Sequence, residues 1–129
     1  MNPVAACVTG LQHIGLPTND MNKTLDFYTA LGFELVHDTR DGDTRVCFLR
    51  LQNVVIETYE NGQAVGTPGA INHICLDVKD VDEAWKAVTA AGFTPKEPEP
   101  RFLPFWEKGV RFFNLTGPNG EIVEYGQIL

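Results

Sequence analysis

Two histidines and two glutamates fall at matching places in a repeated sequence, and together they could hold a divalent ion. Residues 11–33, LQHIGLPTNDMNKTLDFYTALGF, align without a gap on residues 71–93, INHICLDVKDVDEAWKAVTAAGF, with eight of 23 positions identical. The identities include His13 with His73, Asp20 with Asp80, and Gly32-Phe33 with Gly92-Phe93. VCFLRL (46–51) is matched more weakly by VRFFNL (110–115). VVIETY (54–59) is matched by EIVEY (121–125), which pairs Glu57 with Glu124. Two neutral imidazoles and two carboxylates neutralise a divalent charge with N and O donors. Such a set suits a six-coordinate first-row ion better than a thiolate-loving site. Four protein ligands leave two positions for water or a chelating substrate. An ion there would polarise a carbonyl and stabilise an enediolate, while one carboxylate carries the proton.

Taken singly, each residue has an ordinary explanation: a strand histidine is usually hydrogen-bonded, and a glutamate near a strand end is usually solvated. Repetition is what favours a shared site, because a duplicate has little other reason to keep His and Glu in both halves. Alternation supports it. On a strand, His13 opposes Ile14 and Leu16, and His73 shares a face with Cys75 against Ile74 and Leu76. Glu57 opposes Ile56 with Val55 and Tyr59 on its own side. Glu124 opposes Val123 with Ile122 and Gly126 beside it.

The elements that must position these residues are legible as two copies of one βαβββ unit. A strand over 11–17 leads through Thr18-Asn19-Asp20 into a helix over 21–31, with Met21, Leu25, Tyr28 and Leu31 at helical spacing and Gly32 as its stop. In the second copy Asp80 caps, Glu83 completes a capping box, Val81, Trp85 and Val88 form the apolar stripe, and Gly92 ends the helix. Strands are expected at 33–37, 44–51 and 53–59, with Asp41-Gly42-Asp43 turning between the first two. In the second half they are expected at 93–96, 110–115 and 121–126. The stretch 97–109 reads as irregular, and Gly117-Pro118-Asn119-Gly120 as a turn. The expectation is one α+β domain over 1–129, built of modules at about 9–60 and 70–128 joined by a short Gly-rich linker.

At 129 residues the chain is long enough to bury a real core, and 43% hydrophobic content is that of an ordinary globular protein. A net charge of −7 with scattered Lys and Arg would repel a phosphate backbone, so no nucleic-acid partner is expected. No apolar run reaches the length of a membrane span, and the start does not read as a signal peptide. Cys7, Cys47 and Cys75 are odd in number and lack a CxxC spacing, which suits free thiols in a cytoplasmic protein. EPEPRFLPFWEKG (97–109) could wall a substrate, with Arg101 or Lys108 meeting an anion, or simply pack as a stiff aromatic connection. Cys75 is expected to line the pocket. His37, without a counterpart, reads as an exposed strand-end residue, and Tyr59 and Tyr125, each close to a repeated Glu, could orient it or contact substrate, with core packing the plainer expectation.

The segments LQHIGLPTND, LDFYTALGFE, VVIETYE, INHICLDVKDVDEA and FFNLTGPNGEIVEY resemble the vicinal oxygen chelate superfamily. This group includes glyoxalase I, bleomycin-resistance proteins, epimerases, extradiol dioxygenases and fosfomycin-resistance enzymes. The resemblance implies paired βαβββ modules curling into a cup-shaped mixed sheet around one divalent metal per site (Ni, Zn, Co, Mn or Fe). By position it places the ligands on His13, Glu57, His73 and Glu124, with Glu124 as the leading proton carrier and Glu57 sharing the role. A His/Glu/His/Glu set resembles bacterial glyoxalase I. That implies a lactoylglutathione lyase-like enzyme acting on a hemithioacetal, or a similar vicinal-oxygen substrate, through a metal-bound enediolate. The alternatives are an epimerase or dioxygenase of the same group, or a non-catalytic antibiotic-binding protein. Glutathione-using members carry an arginine four residues after the first His, where this chain has Pro17, so another thiol adduct fits equally well. Asn61, four after Glu57, matches an Asn of those enzymes within a turn-rich segment. The partners implied are a small-molecule substrate and a second copy of the chain. A site could form within one chain, or join His13 and Glu57 of one subunit to His73 and Glu124 of the other.

Overall fold

The computed structural model describes residues 2–129. One helical turn, α1 (Pro3–Ala6), precedes the first repeat, and the Asn2 side chain caps it. The first repeat then runs β1 (Ile14–Thr18), α2 (Met21–Ala30), β2 (Glu34–Asp41), β3 (Thr44–Leu51) and β4 (Val54–Glu60). The second runs β5 (His73–Asp77), α3 (Val81–Ala90), β6 (Arg101–Leu103), β7 (Val110–Thr116) and β8 (Ile122–Ile128). The strands form two four-stranded sheets of identical order, β1-β4-β3-β2 and β5-β8-β7-β6. In each, the first and last strands pair in parallel and the others antiparallel, so both sheets are mixed.

The repeated residues explain the repeated helices. Asp20 accepts from the Lys23 amide at 3.1 Å, and Asp80 accepts from Asp82 and Glu83 at 3.0 and 3.2 Å. At the other end Gly32 and Gly92 take φ of 98° and 95°. The Phe33 amide then donates to the Tyr28 carbonyl and the Phe93 amide to that of Val88, which closes a Schellman cap in both copies. The duplicated Gly-Phe pair is therefore a helix terminator that drops a phenylalanine back onto the core.

One expected strand is displaced. Residues 93–100 form no strand, and β6 lies instead at Arg101–Leu103, inside the stretch expected to be irregular. Pro95 and Pro98 each remove a ladder donor. The chain is pinned there by the Lys96 amide on the Asn114 carbonyl, and by the Glu97 carboxylate, which accepts from the Asn114 amide at 2.6 Å and side chain at 3.1 Å. β2 runs on to Asp41, beyond the expected 33–37.

One apolar cluster serves both halves, with Tyr28, Phe33, Leu49 and Ile56 from the first and Val81, Phe113, Leu115 and Val123 from the second. Phe27 meets Phe93 edge-on at 5.4 Å across the junction. The Gly117–Gly120 turn has a docking task as well as a reversal to make. Asn119 donates to Thr24 Oγ1 of α2 at 2.8 Å, and Tyr28 donates to Glu121 at 2.9 Å. Burial, with Glu121 beside it, holds the Tyr28 phenol well above its ordinary range, so it remains a donor. Gly120, at φ 83°, lies so close that a Cβ would overlap the backbone of Gly66 in the linker. We expect Gly120→Ala to cost about 2–4 kcal/mol through positive-φ strain and overlap together. Urea unfolding checks this, and an unchanged midpoint would remove the docking role.

Candidate metal centre

Each half carries one His–Glu pair on the sheet face opposite its helix. In the first, Gly15 pairs with Glu57, so His13, two residues upstream, points to the same side. His13 Nε2 and Glu57 Oε2 are 4.0 Å apart. In the second, Cys75 pairs with Glu124, His73 lies two residues upstream, and His73 Nε2 to Glu124 Oε2 is again 4.0 Å.

That separation is too long for a hydrogen bond. It is within the span of two ligands that each sit about 2.0–2.2 Å from one ion. The other ring nitrogen is also treated alike in both halves. Gln12 Oε1 lies 3.0 Å from His13 Nδ1, and Asn72 Oδ1 lies 3.0 Å from His73 Nδ1. With the amide oxygen as acceptor, Nδ1–H is the donor in the tautomer that turns the Nε2 lone pair toward the carboxylate. The sequence reading passed over Gln12 and Asn72. Their signal was present, as an amide side chain immediately before each His in both copies.

All four expected ligands thus lie on the expected faces, brought together two by two. Among the described residues no group of three or more His, Cys, Asp or Glu side chains is placed to hold an ion. Each pair offers one imidazole and one carboxylate, and the donor chemistry of two such pairs would fit one divalent ion.

The surroundings differ between halves. Beside Glu57, Phe48 meets His13 edge-on at 6.0 Å, and His37 lies 5.9 Å from it with the rings tilted by 36°. A β-bulge between Leu35 and His37 turns His37 onto this face, which makes it a wall residue in mid-strand rather than a strand-end one. The Tyr59 ring lies across Gly15, its hydroxyl 3.5 Å from where a Cβ would be. Beside Glu124, the Cys75 thiol leans over Gly126, 2.9 Å from the position of a Cβ there. Burial and then Glu124 push that thiol up to about 12, so it stays protonated and lines the face. Tyr125 is core, stacked on Phe113 at 5.1 Å. Asn61 accepts from the Gln63 amide in a turn. Phe105 and Trp106 project from the β6–β7 loop, Trp106 at φ 62°. A cavity of about 500 Å³ is lined by residues of both halves and the linker, among them Ile14, Leu16, Ile56, Ile74 and His73.

The profile of the Glyoxalase/Bleomycin resistance protein/Dioxygenase superfamily matches residues 10–125, and the chain belongs to that superfamily. It is 29% identical over 127 residues to the mitochondrial methylmalonyl-CoA epimerase of Dictyostelium discoideum, covering 88% of this chain and 75% of that one. It shares its fold with TnmS3, an antibiotic binding protein from Streptomyces sp. CB03234. There the TM-score is 0.75 at 20% identity, over 95% of this chain and 98% of that one. It also shares it with the fosfomycin resistance protein FosX from Listeria monocytogenes, solved with Mn(II) and sulfate. In that case the TM-score is 0.71 at 21% identity, over 95% and 94% of the two chains. No helix among the described residues is long and apolar enough to cross a membrane.

Proposed function

We propose that the protein is a metal-dependent enzyme of the glyoxalase I type, moving a proton at a carbon next to a carbonyl in a hemithioacetal or similar vicinal-oxygen substrate. The observation that carries this reading is the repeated His–Glu pair at 4.0 Å with its Nδ1 anchored by a neighbouring amide. His13 and Glu57 of one subunit and His73 and Glu124 of a second would hold the ion, which makes the working form a homodimer with two sites. A divalent ion bound there supplies a Lewis acid that polarises the substrate carbonyl.

The chain's own groups do the rest. Glu124 is the more shielded carboxylate, its side chain 20% exposed against 28% for Glu57. It faces Asn114 across the strand pair, and Glu97 holds that asparagine in place. It takes the proton from carbon and returns it. Glu57 faces the substrate from the other wall. Epimerisation is the second reading. Two carboxylates on opposing walls are what inversion at one carbon requires, and the relative in Dictyostelium is an epimerase.

Metal analysis after loading with Ni, Co, Mn, Zn or Fe tests the site. We expect about one ion per chain in the wild type and none with His73→Ala. Thioester formation from methylglyoxal and a panel of thiols tests the substrate. A loaded protein inert to every thiol would end the lyase reading and leave the site standing. Gln12→Ala and Asn72→Ala should each weaken metal binding about 10- to 100-fold by freeing the imidazole. Competition with a chromogenic chelator measures it, and wild-type affinity in both variants would dismiss the anchoring role.

A further inference from the structure

The five arginines divide by the face they occupy. Arg45 donates to Asp38 at 2.8 Å, Arg111 to Asp82 at 2.7 Å, and Arg40 to the Asp43 carbonyl at 3.1 Å. Arg50 and Arg101 engage no carboxylate or carbonyl among the described residues, and both are exposed. Both also lie on the faces that carry the His–Glu pairs. Arg50 opposes Val55, which shares a side with Glu57. Arg101 opposes Phe112, which opposes Gly126, which shares a side with Glu124. Strand spacings put the Arg50 backbone about 8 Å from that of Glu57, and Arg101 about 12 Å from Glu124. Glu34 sits directly across from Arg50, yet no ion pair forms between them within 4.0 Å. In a chain of net charge −7, two unengaged guanidinium groups beside the candidate centre are not explained by surface balance.

We propose that the substrate carries an anionic group, a carboxylate or phosphate, separate from its vicinal oxygens, and that Arg50 and Arg101 recognise it. A planar guanidinium binds either oxyanion bidentately, and the reach from each carboxylate sets where the charge sits. Along that wall the Cys75 thiol covers Gly126 and Phe112 follows before Arg101, so an extended substrate would lie over sulfur and ring. This inference rests on the proposed metal-chelating site and adds the chemistry of the substrate's far end.

The test uses three hydroxamates that present the same chelating oxygens: acetohydroxamate, succinomonohydroxamate with a carboxylate, and phosphoglycolohydroxamate with a phosphate. Titration calorimetry on the Mn-loaded protein reads their affinities. One charged chelator should bind about tenfold or more tighter than acetohydroxamate, and which one does names the anion. Arg50→Gln with Arg101→Gln should bring that ratio near one while leaving acetohydroxamate affinity and the melting temperature unchanged. A wild-type ratio near one, or a ratio that survives the double substitution, overturns the proposal. If no hydroxamate binds, the metal reading fails instead. Methyl phosphate or propionate protection of Arg50 and Arg101 from phenylglyoxal in the metal-free protein, read by peptide mass spectrometry, then decides the arginine claim. Protection supports it, and equal labelling with and without the anions overturns it.

Discussion

About a quarter of wild-type metal content and activity is expected to return when two dead variants of this protein are mixed. One variant carries His13→Ala and Glu57→Gln; the other carries His73→Ala and Glu124→Gln. Each alone should bind no ion in a full four-ligand set, because each destroys one half of every site. In a mixed dimer, one site receives both damaged halves and the other receives both intact ones. Random pairing of equal amounts makes about half of the dimers mixed, and half of their sites intact, hence the quarter. The quarter follows from the two-by-two placement of the candidate residues, with each His 4.0 Å from its own Glu and no larger group among the described residues. A site closed within one chain would give nothing, since neither variant has four ligands on one polypeptide. Native mass spectrometry must show that mixed dimers formed. If they did, and metal content stays at the level of the separate variants, the shared site is wrong.

The two-by-two placement of the candidate residues marks where sequence reasoning reaches and where it stops. Alternation placed His13, Glu57, His73 and Glu124 on the faces they occupy, because the strand period of two leaves no other choice once the core side is known. The repeated Asp and Gly-Phe signals located both helices, since capping is a local interaction between residues a few positions apart. β6 was misplaced because a three-residue edge strand has almost no periodicity to read, and the prolines around it exclude pairing without saying where it resumes. His37 is exposed as expected but lies in mid-strand, because β2 continues to Asp41, and a one-residue bulge that nothing in LVHDT announces sets its facing. The turn Gly117–Gly120 was legible as a reversal. Its second task, holding the second half against α2 and the linker, depends on contacts with Thr24, Tyr28 and Gly66 that are distant in sequence.

Glu124→Gln and Glu57→Gln are expected to differ, and the difference separates the two chemical readings. Both amides keep an oxygen donor at the position, so the ion should remain and any loss should fall on proton transfer. Removing a positioned acid–base group typically costs about 10²–10⁴-fold, and Glu124→Gln should lose activity in that range. An isomerisation in which the proton leaves and returns on one face needs only Glu124, so Glu57→Gln should then cost about tenfold or less, through weaker charge on the ion. An epimerisation needs a group on each face. Glu57→Gln would then exchange the proton of one enantiomer with solvent and leave the other untouched, and Glu124→Gln would show the opposite preference. Deuterium incorporation followed by proton NMR, on a methylglyoxal hemithioacetal and on each enantiomer of a 2-methylmalonyl thioester, distinguishes the cases. The lower exposure of Glu124 favours the one-base outcome, because Glu57 is the more exposed carboxylate and faces Phe48 across the strand pair. Equal, small losses in both variants would show that neither glutamate moves the proton, and would leave the carboxylates with a role in charge balance alone.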